Sequence, residues 1–161
     1  AYPNGLALAE RYPNLVITRT FSKVYGLASL RVGYSVSHPD IADLMNRIRQ
    51  PFNVNAMSLA AAEAALRDQE HVRRCVELNT RGMQQLVDGF DQMGVDYIPS
   101  VGNFITLDVG GDATLIYQAL LQEGVIVRPI GVYEMPDHLR VTVGLEEENK
   151  RFLDSLQKVM Q

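Results

Sequence analysis

Apolar and polar positions along the chain alternate between short β-branched runs and longer stretches at helical spacing. Leu15–Phe21 is a near-continuous apolar run too short for a helix, and hydrophobicity of this kind predicts a strand buried on both faces, as in a parallel sheet. A polar, glycine-containing turn follows. Leu30–Val36 then reads as a second strand, closed by Ser37-His38-Pro39-Asp40, with Ser37 or Asp40 as the cap of a helix over Ile41–Arg49. Pro51 and the asparagines around it break the pattern as far as Asn55. From Ser58 to about Gln92, apolar residues recur at helical spacing in an Ala-, Leu-, Glu- and Arg-rich context. This predicts two helices, or one long helix interrupted at Gln69-Glu70-His71, with a stop at Met93-Gly94. Tyr97–Ser100 and Asn103–Val109 read as strands, and Gly110-Gly111-Asp112 as the turn into a helix over Ala113–Gln122, ended by Glu123-Gly124. Val125–Pro129 and Leu139–Val143 are extended runs. Glu146–Met160 is a final amphipathic helix with acids in its first turn and Lys158 near its end.

This alternation predicts an α/β fold in two subdomains, residues 1–55 and 56–161, with the stretch near 51–60 as the junction. Two strands and one helix are too little for an independent core, so the first subdomain is expected to need further sequence. Ala1-Tyr2-Pro3-Asn4-Gly5 has no initiator Met, basic region or apolar region, so it is no signal peptide, and the chain is expected to be a fragment.

At 161 residues, with 47% apolar and 21% charged positions, the composition is that of a globular domain large enough to bury a core. A net charge of −4 gives no basic footprint for nucleic acid, and no apolar run is long enough to span a membrane. The single cysteine, Cys75, has no disulfide partner within the chain, which points to a reducing cytoplasm. His38, His71 and His138 are dispersed without metal-ligand spacing, so no metal is expected.

The chemistry concentrates in Thr20–Tyr34, where hydroxyls, a lysine, a glycine and an arginine sit in a loop at the carboxyl end of a strand, the place where α/β proteins bind ligands. Of the three lysines, Lys150 and Lys158 fall in the last helix, which leaves Lys23 as the candidate nucleophile. A lysine amine attacks a carbonyl only when neutral, and a nearby positive charge such as Arg31 favours that state. Thr20, Ser22 and Arg31 suit a phosphate, because hydroxyls donate single hydrogen bonds and a guanidinium offers a bidentate fork. The competing reading of these residues alone is an ordinary solvated lysine beside a capped turn.

Thr20-Phe21-Ser22-Lys23-Val24-Tyr25-Gly26-Leu27-Ala28-Ser29-Leu30-Arg31-Val32-Gly33-Tyr34 resembles the cofactor-attachment motif of class I/II (fold type I) pyridoxal-phosphate-dependent aminotransferases. Pro51–Asn55, Val101–Phe104, Val127–Pro129 and His138–Gly144 follow in family order, and together they resemble the histidinol-phosphate aminotransferase branch. The resemblance covers essentially the whole chain. It implies that residues 1–55 end the large cofactor-binding domain and that 56–161 form the small C-terminal α/β domain. It implies pyridoxal 5'-phosphate as cofactor, joined as a Schiff base to Lys23, which then shuttles the proton between carbons of substrate and cofactor. Ser22 and Arg31 match residues that hold the phosphate, with Thr20 assisting. Tyr2 matches the phenol of an Asp-x-x-Tyr motif whose aspartate would lie ahead of Ala1.

By the same resemblance, Arg140 matches the arginine that clamps the α-carboxylate of glutamate and can face the phosphate of histidinol phosphate. Arg128 matches a second substrate arginine; on residue chemistry alone it could equally be an edge-strand salt bridge. Asn103 is a candidate contact to cofactor or substrate, or an ordinary backbone-bonding asparagine. Ser29, where many relatives carry Gly, is a minor departure. The implied activity is transamination between histidinol phosphate and 2-oxoglutarate in histidine biosynthesis, by a cytoplasmic homodimer acting on small molecules, with this fragment itself inactive. The alternatives are a related phosphorylated-amino-acid decarboxylase, an aromatic aminotransferase, or a non-catalytic α/β module.

Overall fold

A computed structural model describes residues 4–160. The chain divides into two compact units, Ala1–Cys75 and Val76–Gln161. The first contains α1 (Gly5–Ala9), β1 (Ile17–Thr20), a 3-10 turn (Ala28–Leu30), β2 (Gly33–Val36), α2 (Pro39–Ile48) and α3 (Ala56–Arg67). A long helix, α4 (Gln69–Met93), begins in the first unit and continues into the second. There it is followed by β3 (Tyr97–Ile98), β4 (Phe104–Asp108), α5 (Ala113–Gln122), β5 (Arg128–Pro129), β6 (His138–Thr142) and α6 (Glu146–Val159). Asn55, where the sequence predicts the boundary, is the N-cap of α3, its Oδ1 accepting from the Ser58 N–H at 2.9 Å.

The first unit departs from the parallel-sheet expectation. β1 and β2 pair antiparallel, from Ile17 opposite Val36 to Thr20 opposite Gly33. Of the eight strand positions only Ile17 is buried, because no second layer of described residues covers both faces of this ribbon. The small core of this unit lies instead where the β1–β2 loop meets α3, through Phe21, Val32 and Ala62 with Leu27, Leu30 and Val54 around them. α1 is too short for helical spacing to reveal it; Asn4 caps it by accepting from the Leu6 N–H. The cap of α2 is His38, not Ser37 or Asp40: its Nδ1 accepts from the Asp40 N–H, and Pro39 supplies a first-turn residue with no N–H to satisfy. The break between the long helices falls at Asp68, just before the predicted Gln69, and its carboxylate accepts from the His71 N–H at 3.0 Å.

In the second unit an antiparallel sheet of order β3-β4-β6-β5 packs one face against α4, α5 and α6. Ile105 and Leu107 of β4 and Leu139 and Val141 of β6 point into the core, against Leu86 and Phe90 of α4, Leu120 of α5, and Phe152 and Leu156 of α6. Phe90 and Phe152 meet edge to face at 6.2 Å. Gly144 N–H, near the entry to α6, donates to Asn149 Oδ1 (2.8 Å), and the buried Asn149 amide returns hydrogen bonds to Gln85 and the Gly144 carbonyl. Two predicted strands are shorter than their apolar runs. β3 stops before Pro99, which has no N–H to pair. Val125 gives its N–H to the Leu120 carbonyl at the end of α5, so only Arg128–Pro129 of that run reaches the sheet.

Replacing Phe90, fully buried, with Ala removes the ring that meets Phe152 of α6 edge to face and lies beside Tyr97 of β3. The expected loss is about 3–5 kcal/mol of unfolding free energy, read as a lower urea midpoint; a midpoint within error of the parent would contradict this packing.

Candidate functional site

The loop between β1 and β2 is closed at its base. Phe21 N–H donates to the Val32 carbonyl at 3.2 Å, and both residues are buried. Gly33 follows because a Cβ there would lie 2.6 Å from the Arg19 carbonyl oxygen, closer than any side chain tolerates. Within the loop, Leu27 N–H returns to the Phe21 carbonyl at 2.9 Å, and Gly26, at φ +71°, donates to the Lys23 carbonyl at 2.8 Å. Lys23 therefore occupies the first position of a tight turn at the end of β1. The buried Ser58 of α3 donates its hydroxyl to the Leu30 carbonyl at 2.9 Å and ties the far side of the loop down.

Lys23 is exposed and has no ion-pair partner among the described residues, whereas Lys150 is held by Asp154 at 2.6 Å and Lys158 by Glu123 at 2.8 Å. Arg31 sits in left-handed backbone at φ +50°, a conformation that costs a non-glycine residue about 1–2 kcal/mol. Its guanidinium folds back over the loop, donating to the Ala28 carbonyl at 2.7 Å and reaching Ser22 Oγ at 3.4 Å. Thr20 Oγ1 accepts from the Ser22 N–H at 3.0 Å, the turn-capping role open to it on sequence, and its own O–H remains a donor. The structure thus gathers Thr20, Ser22, Lys23 and Arg31 into one exposed loop. Tyr2 lies outside the described residues.

The second unit assembles a different group on the sheet face turned away from its core. Arg128 of edge strand β5 stands directly opposite Arg140 of β6, which stands opposite Thr106 of β4. The Arg140 guanidinium lies over the Phe104 ring, 4.7 Å from its centroid. Neither arginine has a carboxylate partner among the described residues, so the edge-strand ion pair allowed for Arg128 is not present there. Like charges opposed across strands are unfavourable by themselves and favour an anion between them. Asn103 precedes β4; its carbonyl accepts from the Val143 N–H at 2.9 Å, and the neighbouring Gly102 carbonyl accepts from Asn79 of α4 at 3.0 Å.

Strand pairing also creates a cluster that sequence spacing hides. Asp108 faces His138 across β4 and β6, and with Asp137 these side chains bring ligand atoms within 4.8 Å of one another. Protein hydrogen bonds already occupy it: Gly110 N–H donates to Asp108 Oδ1, and His138 Nδ1 lies 2.5 Å from Asp137 Oδ1. The His138 contact is the main cause holding the Asp137 carboxyl below its ordinary value. Ser58, Asn79 and His71, which hold the loops through backbone carbonyls, were not foreseen, because polar residues inside a helical pattern give no sign of what they face.

Residues 1–156 match the class I and II aminotransferases, and the chain belongs to that family. Within it, the chain is similar to histidinol-phosphate aminotransferases. It is 59% identical over 160 residues to histidinol-phosphate aminotransferase 1 of Nitrosococcus oceani, covering 99% of this chain and 43% of that protein. It is 58% identical over 158 residues to histidinol-phosphate aminotransferase 2 of Pseudomonas fluorescens, covering 98% and 43%. Among solved structures, the histidinol-phosphate aminotransferase from Sinorhizobium meliloti in complex with pyridoxal-5'-phosphate superposes with a TM-score of 0.82 at 32% identity, over 92% of this chain and 41% of that one. The chain spans about two fifths of the length of the curated relatives it matches. No helix among the described residues is long and apolar enough to cross a membrane.

A carboxylate held low by a folded-state partner contributes stability that is complete above its ordinary value, 3.8 for Asp137, and is lost as the pH falls through the lowered one. Replacing His138 with Ala is expected to move the Asp137 titration, followed by carboxyl NMR, up toward 3.8. An unmoved midpoint would remove His138 as the cause.

Proposed function

We propose that the protein of which this chain forms part is a pyridoxal-phosphate-dependent transaminase exchanging an amino group between histidinol phosphate and 2-oxoglutarate in histidine biosynthesis. The observation that carries this reading is the β1–β2 loop. It presents a lysine free of ion pairs among the described residues beside a hydroxyl and a guanidinium, in a chain 59% identical to a histidinol-phosphate aminotransferase.

The residues present fit the cofactor. Among the described residues one terminal nitrogen of Arg31 is engaged, on the Ala28 carbonyl and Ser22, and its other donors have no partner there that would compete with a phosphate oxygen. Ser22 and Arg31 hold the phosphate, with Thr20 assisting, and Lys23 Nζ is the nitrogen that holds the cofactor covalently. Bound pyridoxal phosphate supplies an aldehyde carbon for that amine and a ring that takes up electron density. Lys23 Nζ, when uncharged, would be the base placed to take the proton from the substrate α-carbon and to return it at the other end of the transfer. Arg140 receives the α-carboxylate of glutamate or the phosphate of histidinol phosphate in bidentate geometry, Arg128 adds the second positive charge, and Asn103 contacts cofactor or substrate. Tyr2 belongs to this reading as the phenol beside the cofactor ring.

Residues 1–55 are read as the end of the large cofactor-binding domain and 56–161 as the small domain of a cytoplasmic homodimer. The chain alone is inactive on this reading, because it spans 43% of its relatives.

Borohydride reduction of the full-length protein with pyridoxal phosphate, followed by peptide mapping, is expected to label Lys23 and neither Lys150 nor Lys158. Lys23→Ala is expected to lower kcat by about a thousandfold or more. A label elsewhere, or undiminished turnover in the variant, would overturn the assignment. Arg140→Lys removes the bidentate fork, worth about 2 kcal/mol. The expected result is a roughly thirtyfold higher KM for glutamate; an unchanged KM would move carboxylate recognition to another residue.

A further inference from the structure

We propose that His71 is a positioning residue for Lys23, acting by a hydrogen bond to the backbone of the turn that carries the lysine; this rests on the assignment of Lys23 above. His71 lies in the first turns of α4, its N–H capped by Asp68, and its Nε2 is 3.0 Å from the carbonyl oxygen of Val24, the residue after Lys23. A carbonyl oxygen only accepts, so at this distance the proton resides on Nε2. The protonated ring keeps that same donor, and the contact therefore survives either charge state of the imidazole.

Three hydrogen bonds shape the turn. Two are internal, Leu27 to the Phe21 carbonyl and Gly26 to the Lys23 carbonyl. The third comes from His71, forty-seven residues beyond Val24 in sequence, and it fixes the Val24–Tyr25 peptide plane, one residue past the lysine, against α4. Cys75, one helical turn on, places Sγ 3.4 Å from the same Nε2 and limits rotation of the ring. The Ser58 hydroxyl on the Leu30 carbonyl anchors the far side of the loop, and neither internal bond anchors the side that carries the lysine. The His71 tether does so, and it narrows the spread of directions in which the Lys23 stem leaves the backbone.

The amide nitrogen of glutamine lies the same number of bonds from Cβ as His Nε2, whereas that of asparagine is one bond shorter and corresponds to Nδ1. In the full-length protein, His71→Asn is therefore expected to lose the tether and His71→Gln to restore it. Amide hydrogen exchange at Gly26 and Leu27 should be about fivefold faster in H71N and close to the parent in H71Q, with exchange in β4 unchanged in both. kcat should fall about fivefold or more in H71N with KM for glutamate unchanged, and recover in H71Q. Equal exchange in all three proteins, or faster exchange in H71N with an undiminished kcat, would overturn the proposal. The exchange measurement needs no cofactor, and borohydride labelling of the parent at Lys23 reports on the cofactor assignment alone, so failure of one is distinguishable from failure of the other.

Discussion

Phe21 and Val32, joined by a backbone hydrogen bond and buried together against Ala62, set the constraint under which the Lys23 loop exists. A loop leaving a two-stranded ribbon has little to restrain it, because the ribbon itself buries only Ile17. The closure converts a long excursion into one with fixed ends. The turn at Lys23–Gly26, the left-handed Arg31 and the Ser58 contact to Leu30 then each need to fix only a few dihedrals. Strain at Arg31 is tolerable for the same reason, since the surrounding bonds leave that residue no easier conformation.

The second unit solves a different problem with the opposite asymmetry. One face of its sheet is covered by three helices and closes a core around Phe90 and Leu139, so the other face is free to carry polar chemistry. Antiparallel register puts Arg128, Arg140 and Thr106 side by side there, and the Phe104 ring supports one guanidinium. Two opposed guanidinium groups weaken a sheet on their own, and on the proposed reading the anion of a substrate offsets that cost. Stability of the core face and charge on the opposite face are thus separate consequences of one alternating pattern.

Much of this was legible in the chain. Helical spacing places α3, α4, α5 and α6 close to where they occur, because long periodic stretches carry many independent votes for one face. The motif around Lys23 was legible as a family resemblance; lysine and arginine eight residues apart would not by themselves have pointed to any ligand. The antiparallel pairing of β1 and β2 was not legible, since an apolar run reports burial and not the direction of its neighbour. Nor was the early release of Val125 to α5, or the capping of α2 by His38, because a cap one residue either way satisfies the same donors. The roles of His71 and Ser58 depend on contacts across tens of residues, which spacing along one helix cannot encode.

On the proposed reading, the closed loop presents Lys23, Ser22 and Arg31 to a single cofactor molecule. A crystal structure of the full-length protein grown with pyridoxal phosphate tests all three at once. Continuous density is expected from Lys23 Nζ into the cofactor, with its phosphate within hydrogen-bond distance of Ser22 and Arg31. A cofactor joined to another lysine, or a phosphate held away from Arg31, would contradict it.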